Sequence, residues 1–223
     1  MRQLKAGELV FDFDIYPRQA VDSQHVHYMR ESAEAGAEFP PVVIDQKTKR
    51  IVDGFHRVRM TLGLYGPEHL MDVVEKRYAS EADLLADSIR LNASHGRALT
   101  RFDRVHCLLL AEKLELSLDE TAKALSTTVE RLKEMRVERV GQMRIDKKPV
   151  AIALKRTISH MSGKVLNQAQ VEANKKLSGM SAMFYVNQVV LLIEANLLDA
   201  GNEELWARLE HLGSLIRSLR RAA

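Results

Sequence analysis

Ile51-Val52-Asp53-Gly54-Phe55-His56-Arg57-Val58-Arg59 is the stretch on which the fold turns. Two β-branched residues lead into Asp-Gly, and the glycine permits a sharp turn out of a strand. A helix beginning just beyond it leaves its first N–H groups aimed at whatever lies past the strand. His56 and Arg57 fall in the first turn of that helix, so backbone donors, helix dipole and guanidinium meet at one spot. Such a spot suits an anion, above all a nucleotide phosphate. An ordinary strand-to-helix turn carrying a surface arginine is the plainer alternative.

The neighbouring segments read as mixed α/β as far as Tyr78. Phe39-Pro40-Pro41-Val42-Val43-Ile44-Asp45 is an apolar run opened by a proline pair, and residues 45–49 form a polar turn before the next strand at Arg50 to Gly54. His56 to Leu64 then reads as a helix, and Met71 to Tyr78 as another strand. Asp22 to Ala35 has the composition of a helix closed by Gly36. His25 and His27 stand two apart on it, a spacing that points them away from each other and argues against a metal site. After Ser80 the character changes. Ser80-Glu81-Ala82-Asp83 starts a helix carrying Leu84, Leu85, Ile89 and Leu91, Asn92-Ala93-Ser94-His95-Gly96 interrupts it, and Thr100 to Asp103 caps the next. Beyond that, helix and turn are expected throughout.

Leu118 to Leu132 has the layout of a helix-turn-helix. Ala122 is the small residue that lets two helices approach, Leu125 and Leu132 fill the space between them, and Ser126 occupies the turn. Glycine is the usual residue at that turn, because the backbone there often needs a positive φ, and Ser126 fits less well. The second helix begins at Thr127 or Thr128, whose hydroxyls cap it and reach phosphate, and Thr127, Thr128, Arg131, Lys133 and Arg136 are the expected DNA contacts. Two antiparallel helices of a bundle would give the same pattern. Charge favours DNA. The chain carries a net +3, yet residues 128–156 alone hold nine Lys and Arg against four Asp and Glu, an excess of +5 that attracts a polyanion.

Composition narrows the class further. At 46% hydrophobic and 28% charged the 223-residue chain is globular, and aromatics at 5% favour helices packed by aliphatic side chains. The single cysteine, Cys107, lies in an apolar run and reads as a buried thiol. The chain shows neither a signal peptide nor an apolar run near the roughly 20 residues a membrane span needs, so a cytoplasmic location is expected.

Asp53 to Arg57 after a strand, preceded by Tyr16-Pro17-Arg18 and Phe39-Pro40-Pro41-Val42-Val43, resembles the ParB N-terminal and sulfiredoxin-like superfamily over roughly Leu9 to Tyr78. The domain order that follows resembles partition ParB and ParB-like regulators. That resemblance implies a Gly-x-x-Arg turn holding CTP or ATP with Mg, through Gly54, His56 and Arg57, with Asn92 as the remnant of a second nucleotide box at Leu91 to His95. Phe55 stands where sulfiredoxins carry their reactive cysteine, so that chemistry is not expected. The Asp-Gly-His-His-Arg turn of related serine kinases keeps an enzyme in view, a nucleotide-dependent phosphotransferase or a nuclease with Asp53 as base or metal ligand. The expected class is α+β: a phosphate-binding domain over residues 1–80, a helical DNA-binding domain over 81–150, and a helical region over 151–223. In that last region Gln168 to Leu177, Ala182 to Leu198 and Glu203 to Arg221 read as helices. The last two carry broad apolar faces suited to a homodimer or to an intrachain bundle. The expected partners are double-stranded DNA, a second copy, and a protein docking on the N-terminal domain.

Overall fold

Strand β3 (Ile51–Asp53) is buried on both faces. Successive side chains of a strand point to opposite sides, so Ile51 and Val52, each 0% exposed, require a packed layer on either side. Ile51 joins Val42, Ile44, Phe55, Val58 and Val73 in one core. Val52 joins Leu84, Leu85, Ile89, Val105 and Leu108 in another. In this computed structural model, which describes residues 2–94 and 97–222, the sheet is the wall between the two.

The sheet also contains β1 (Arg2–Lys5), β2 (Val42–Asp45) and β4 (Leu70–Lys76), in the order β1-β4-β2-β3. β2 runs parallel to β4, and the other two pairings are antiparallel, which makes a mixed sheet. Helices α1 (Ser23–Glu34) and α2 (Phe55–Leu64) pack on each other. Asp22 caps α1 by accepting from the Gln24 and His25 N–H groups, and Gly36, at φ +88°, ends that segment.

Helices α3 (Glu81–Ser94), α4 (Arg101–Lys113), α5 (Leu118–Ala124) and α6 (Val129–Arg139) complete the second core, which runs on through Ala122, Leu125, Leu132 and Met135. Thr100 with Asp103 and Ser117 with Glu120 form capping boxes at α4 and α5. Cys107 is fully buried there. The α+β class expected from the sequence is the one observed.

Three local expectations are corrected. α3 does not break at Asn92 but continues to Ser94, because Asn92 spends its amide on the Ser88 carbonyl one turn back, 2.9 Å away, instead of starting a turn. His95 and Gly96 lie outside the described residues. The second correction is a β-hairpin, β5 (Val140–Ile145) with β6 (Lys148–Ala153), where only helix was expected. Its turn residues Asp146 and Lys147 both have positive φ, +49° and +67°, the mirror-image geometry that matches strand twist. Lysine in place of glycine at the second position hid that turn from a sequence reading. Third, β1 was not foreseen.

The first compact unit runs through α7 (Gln168–Lys176) to Gly179, and a second, Met180–Ala223, contains α8 (Ala182–Glu194) and α9 (Glu203–Ala222). α8 ends before Leu198, with Asn196 at φ +53° just past it. Among the described residues none from 180 to 221 is buried.

Candidate functional site

Gly54 is required twice over. Its φ of +113° is one that L side chains rarely adopt. A Cβ there would also lie 3.1 Å from Val42 Cγ2 and 3.2 Å from both Cζ and Nε of Arg57, which crosses the turn. The Arg57 guanidinium donates to the carbonyls of Pro40 (2.5 Å) and Pro41 (2.8 Å) and to Asp53 Oδ2 (2.6 Å). It therefore clamps the proline pair onto the turn. Asp53, the candidate base or metal ligand, is its counterion.

As the N-cap of α2, Gly54 supplies no side chain to the helix's first N–H groups. His56 sits in that first turn, and its Nε2 accepts from the Asp22 N–H at 3.2 Å while its ring meets His25 edge-on at 4.9 Å. Burial, with help from His25 and Arg18, pushes its pKa down to about 4, so the ring is neutral at ordinary pH. Asn92 also donates, at 3.5 Å, to the carbonyl of Val52, which takes a 2.9 Å bond from Ser88 Oγ. The start of the turn is thus stitched to α3.

Gly54, His56, Arg57 and Asn92 line one cleft of about 230 Å³, as does Asp53. Arg18, His25 and Arg97 line it too, and the sequence reading did not select them. Arg18 is buried, pairing with Asp103 at 3.3 Å and donating to the Arg97 and Ala98 carbonyls. Arg97 pairs with Asp22. Arg18 was legible as part of Tyr16-Pro17-Arg18, whereas nothing in the sequence near Arg97 marks it. Among the described residues no group of three or more His, Cys, Asp or Glu is placed to hold a metal.

The second candidate surface is α5, α6 and the turn between them. Ser126 takes φ +50°, the conformation that would have favoured glycine. Arg104 of α4 donates to the Leu125 carbonyl at 2.7 Å and holds the turn from behind. Thr128 Oγ1 caps α6 by accepting from the Arg131 N–H at 3.2 Å, and Leu132 and Met135 bury the inner face. Thr128, Arg131 and Lys133 are exposed and Thr127 is half-buried. Arg131 pairs with Glu134. Arg136, also exposed, pairs with Glu112 of α4, 2.8 Å away.

No protein-family model matches the chain. Two curated proteins are 33% identical to part of it. One, called a streptomycin biosynthesis operon possible regulatory protein, from Streptomyces griseus, aligns over 88 residues, 40% of this chain and 24% of that protein. The other, the transcriptional regulator NovG of Streptomyces niveus, aligns over 106 residues, 47% and 32% respectively. The aligned part thus spans about a quarter to a third of these relatives' length. Among solved structures the chain is similar to C-terminally truncated chromosome-partitioning protein ParB from Caulobacter crescentus. Complexed to the centromeric parS site, that protein is 17% identical, with a TM-score of 0.43 over 61% of this chain and 71% of that one. Complexed with CTP-gamma-S it gives a TM-score of 0.36 over 61% and 77%, again at 17% identity.

The depressed pKa of His56 carries a pH signature. Between about 4 and the ordinary value near 6.5 the unfolded chain holds a proton that the native ring does not, so stability falls as pH drops through that window. Burial also lowers the pKa of His106, which adds to the loss in the same direction. The His56 ring proton signals followed by NMR should titrate near pH 4, and His56→Gln should flatten the fall in urea midpoint between pH 7 and 5 without abolishing it. Titration near 6.5 would contradict the buried, neutral ring.

Proposed function

We propose that this chain is a DNA-binding regulator of the ParB-like type, acting in transcription or partition in the cytoplasm, with α5 and α6 as its helix-turn-helix. The observation that carries the reading is the build of α6. Its inner face is fixed by fully buried Leu132 and by Met135, its N-terminus is capped by Thr128, and its exposed start offers Thr128, Arg131 and Lys133 to a groove. The regulatory names of the two curated relatives support it.

The cleft at Gly54 would serve as the switch. Its chemistry fits the phosphates of CTP or ATP: first-turn N–H groups of α2 without a side-chain cap, a neutral histidine and nearby guanidiniums. The three arginines are not equally available. Arg18 and Asp103 are both buried, and breaking such a pair costs about 3–5 kcal/mol, which makes Arg18 a strut. Arg97 and Asp22 are more exposed, and a surface pair is worth only about 0–1 kcal/mol, so Arg97 is the one free to change partner. Phe39 and Met29 supply apolar lining. Magnesium would arrive with the nucleotide, held mainly by phosphate oxygens. Asp53 is committed to Arg57, and no observation favours the phosphotransferase or nuclease.

The C-terminal unit would pair two copies. α8 exposes Met183, Val186, Leu191 and Ile193, and α9 exposes Leu212, Leu215, Ile216 and Leu219, apolar side chains that a second copy would cover. α9 is acidic at its start (Glu203, Glu204) and basic at its end (Arg220, Arg221), so two antiparallel copies would match opposite charges under a two-fold axis.

Two experiments follow. In a mobility shift with genomic DNA fragments, wild type should retard a subset at low salt, with CTP or ATP altering the pattern, and Arg131→Ala should weaken binding about tenfold. No shift at any salt refutes the DNA reading. In sedimentation, wild type should run as a dimer and Leu212→Asp/Ile216→Asp as a monomer, whereas a monomeric wild type contradicts the pairing.

A further inference from the structure

We propose that the β5–β6 hairpin is a second DNA contact, a rigid basic finger laid on the phosphate backbone next to the segment that α6 occupies. This rests on the DNA-binding reading above and extends it to an element outside the helix-turn-helix.

The hairpin follows α6 without a linker, since Arg139 ends the helix and Val140 opens the strand. Its base is fixed. Gly141 is pressed so closely on the Leu154–Leu166–Val171 cluster that a Cβ would fall 2.9 Å from Leu166 Cδ1. The Leu154 N–H donates to the Arg139 carbonyl at 2.7 Å, tying the end of β6 to the end of α6. The buried Asn174 amide donates to the Ala153 carbonyl at 2.8 Å and accepts from the Lys155 N–H at 2.9 Å. The ladder then runs without a register shift from Val140↔Ala153 to Ile145↔Lys148.

The tip has the opposite character. Arg144, Lys147 and Lys148 are exposed, with Asp146 the one carboxylate between them. Among the described residues none of these three cations is in a salt bridge, whereas Arg131 and Arg136 of α6 are held by Glu134 and Glu112. The hairpin turn thus gathers three cations in no salt bridge, adding to Lys133 and Arg139 of α6, which are in none either among the described residues. A rigid β-ribbon with unpaired cations at its turn is suited to backbone phosphates, which release their counterions on contact and carry no sequence information. It would add affinity, leaving base readout to α6.

The test uses the full chain with Arg144→Gln, Lys147→Gln and Lys148→Gln combined, in anisotropy titrations on a retarded DNA fragment across a salt series. A control with the same loss of charge carries Arg30→Gln, Lys47→Gln and Arg59→Gln at exposed positions of the first half. Three lost phosphate contacts should weaken binding at least tenfold and make the slope of log K against log salt shallower by about 2–3. The control should stay near wild type, and both variants should melt at the wild-type temperature. Equal slopes for wild type and the hairpin variant, with wild-type binding intact, would overturn the finger alone, as would an equal loss in the control. Wild type that binds no DNA sinks this proposal together with the function it rests on.

Discussion

One backbone carbonyl, that of Val52, joins the two halves of the first unit. Both faces of β3 are buried, so the strand cannot end in solvent, and its last groups must be satisfied by the layers around it. Ser88 and Asn92 of α3 donate to Val52 from one side, and one residue later Gly54 swings the chain into α2 on the other. Asn92 both lines the cleft and belongs to the helix that packs against α5. A ligand touching Asn92 thus touches an element of the core that carries α6.

Electrostatics decide what each charged group does. The cleft's three guanidiniums are each already matched by a carboxylate, so it is not an open positive well. Burial sorts them: Arg18 is structural, Arg57 is spent on the proline carbonyls and Asp53, and Arg97 alone faces a cheap exchange. In the basic segment beyond Thr128, Arg131 and Arg136 are matched by Glu134 and Glu112, whereas Arg144, Lys147 and Lys148 at the hairpin turn are in no salt bridge among the described residues.

Much of this was legible in the sequence, for identifiable reasons. Asp53-Gly54 announced the strand end because only glycine accepts φ +113°, and Ala122, Leu125 and Leu132 announced the paired helices because their spacing fits one face. The α+β class followed from the same strings. The hairpin escaped because Asp146-Lys147 lacks the usual glycine and Pro149 interrupts the alternation. The role of Arg57 was legible only in type: that it binds carbonyls as well as facing the cleft depends on Pro40 and Pro41 folding over it. Arg97 escaped because its relevance comes from a distant partner, Asp22, and not from its neighbours.

The most direct measurement is an amide NMR titration of the isotopically labelled chain with CTP and with ATP. An anion seated on the start of α2 should shift the amides of Phe55, His56 and Arg57 first, saturably, with the Asn92 and Arg97 signals following. Saturating nucleotide that leaves those amides unmoved, or moves only exposed lysines elsewhere, would contradict the cradle.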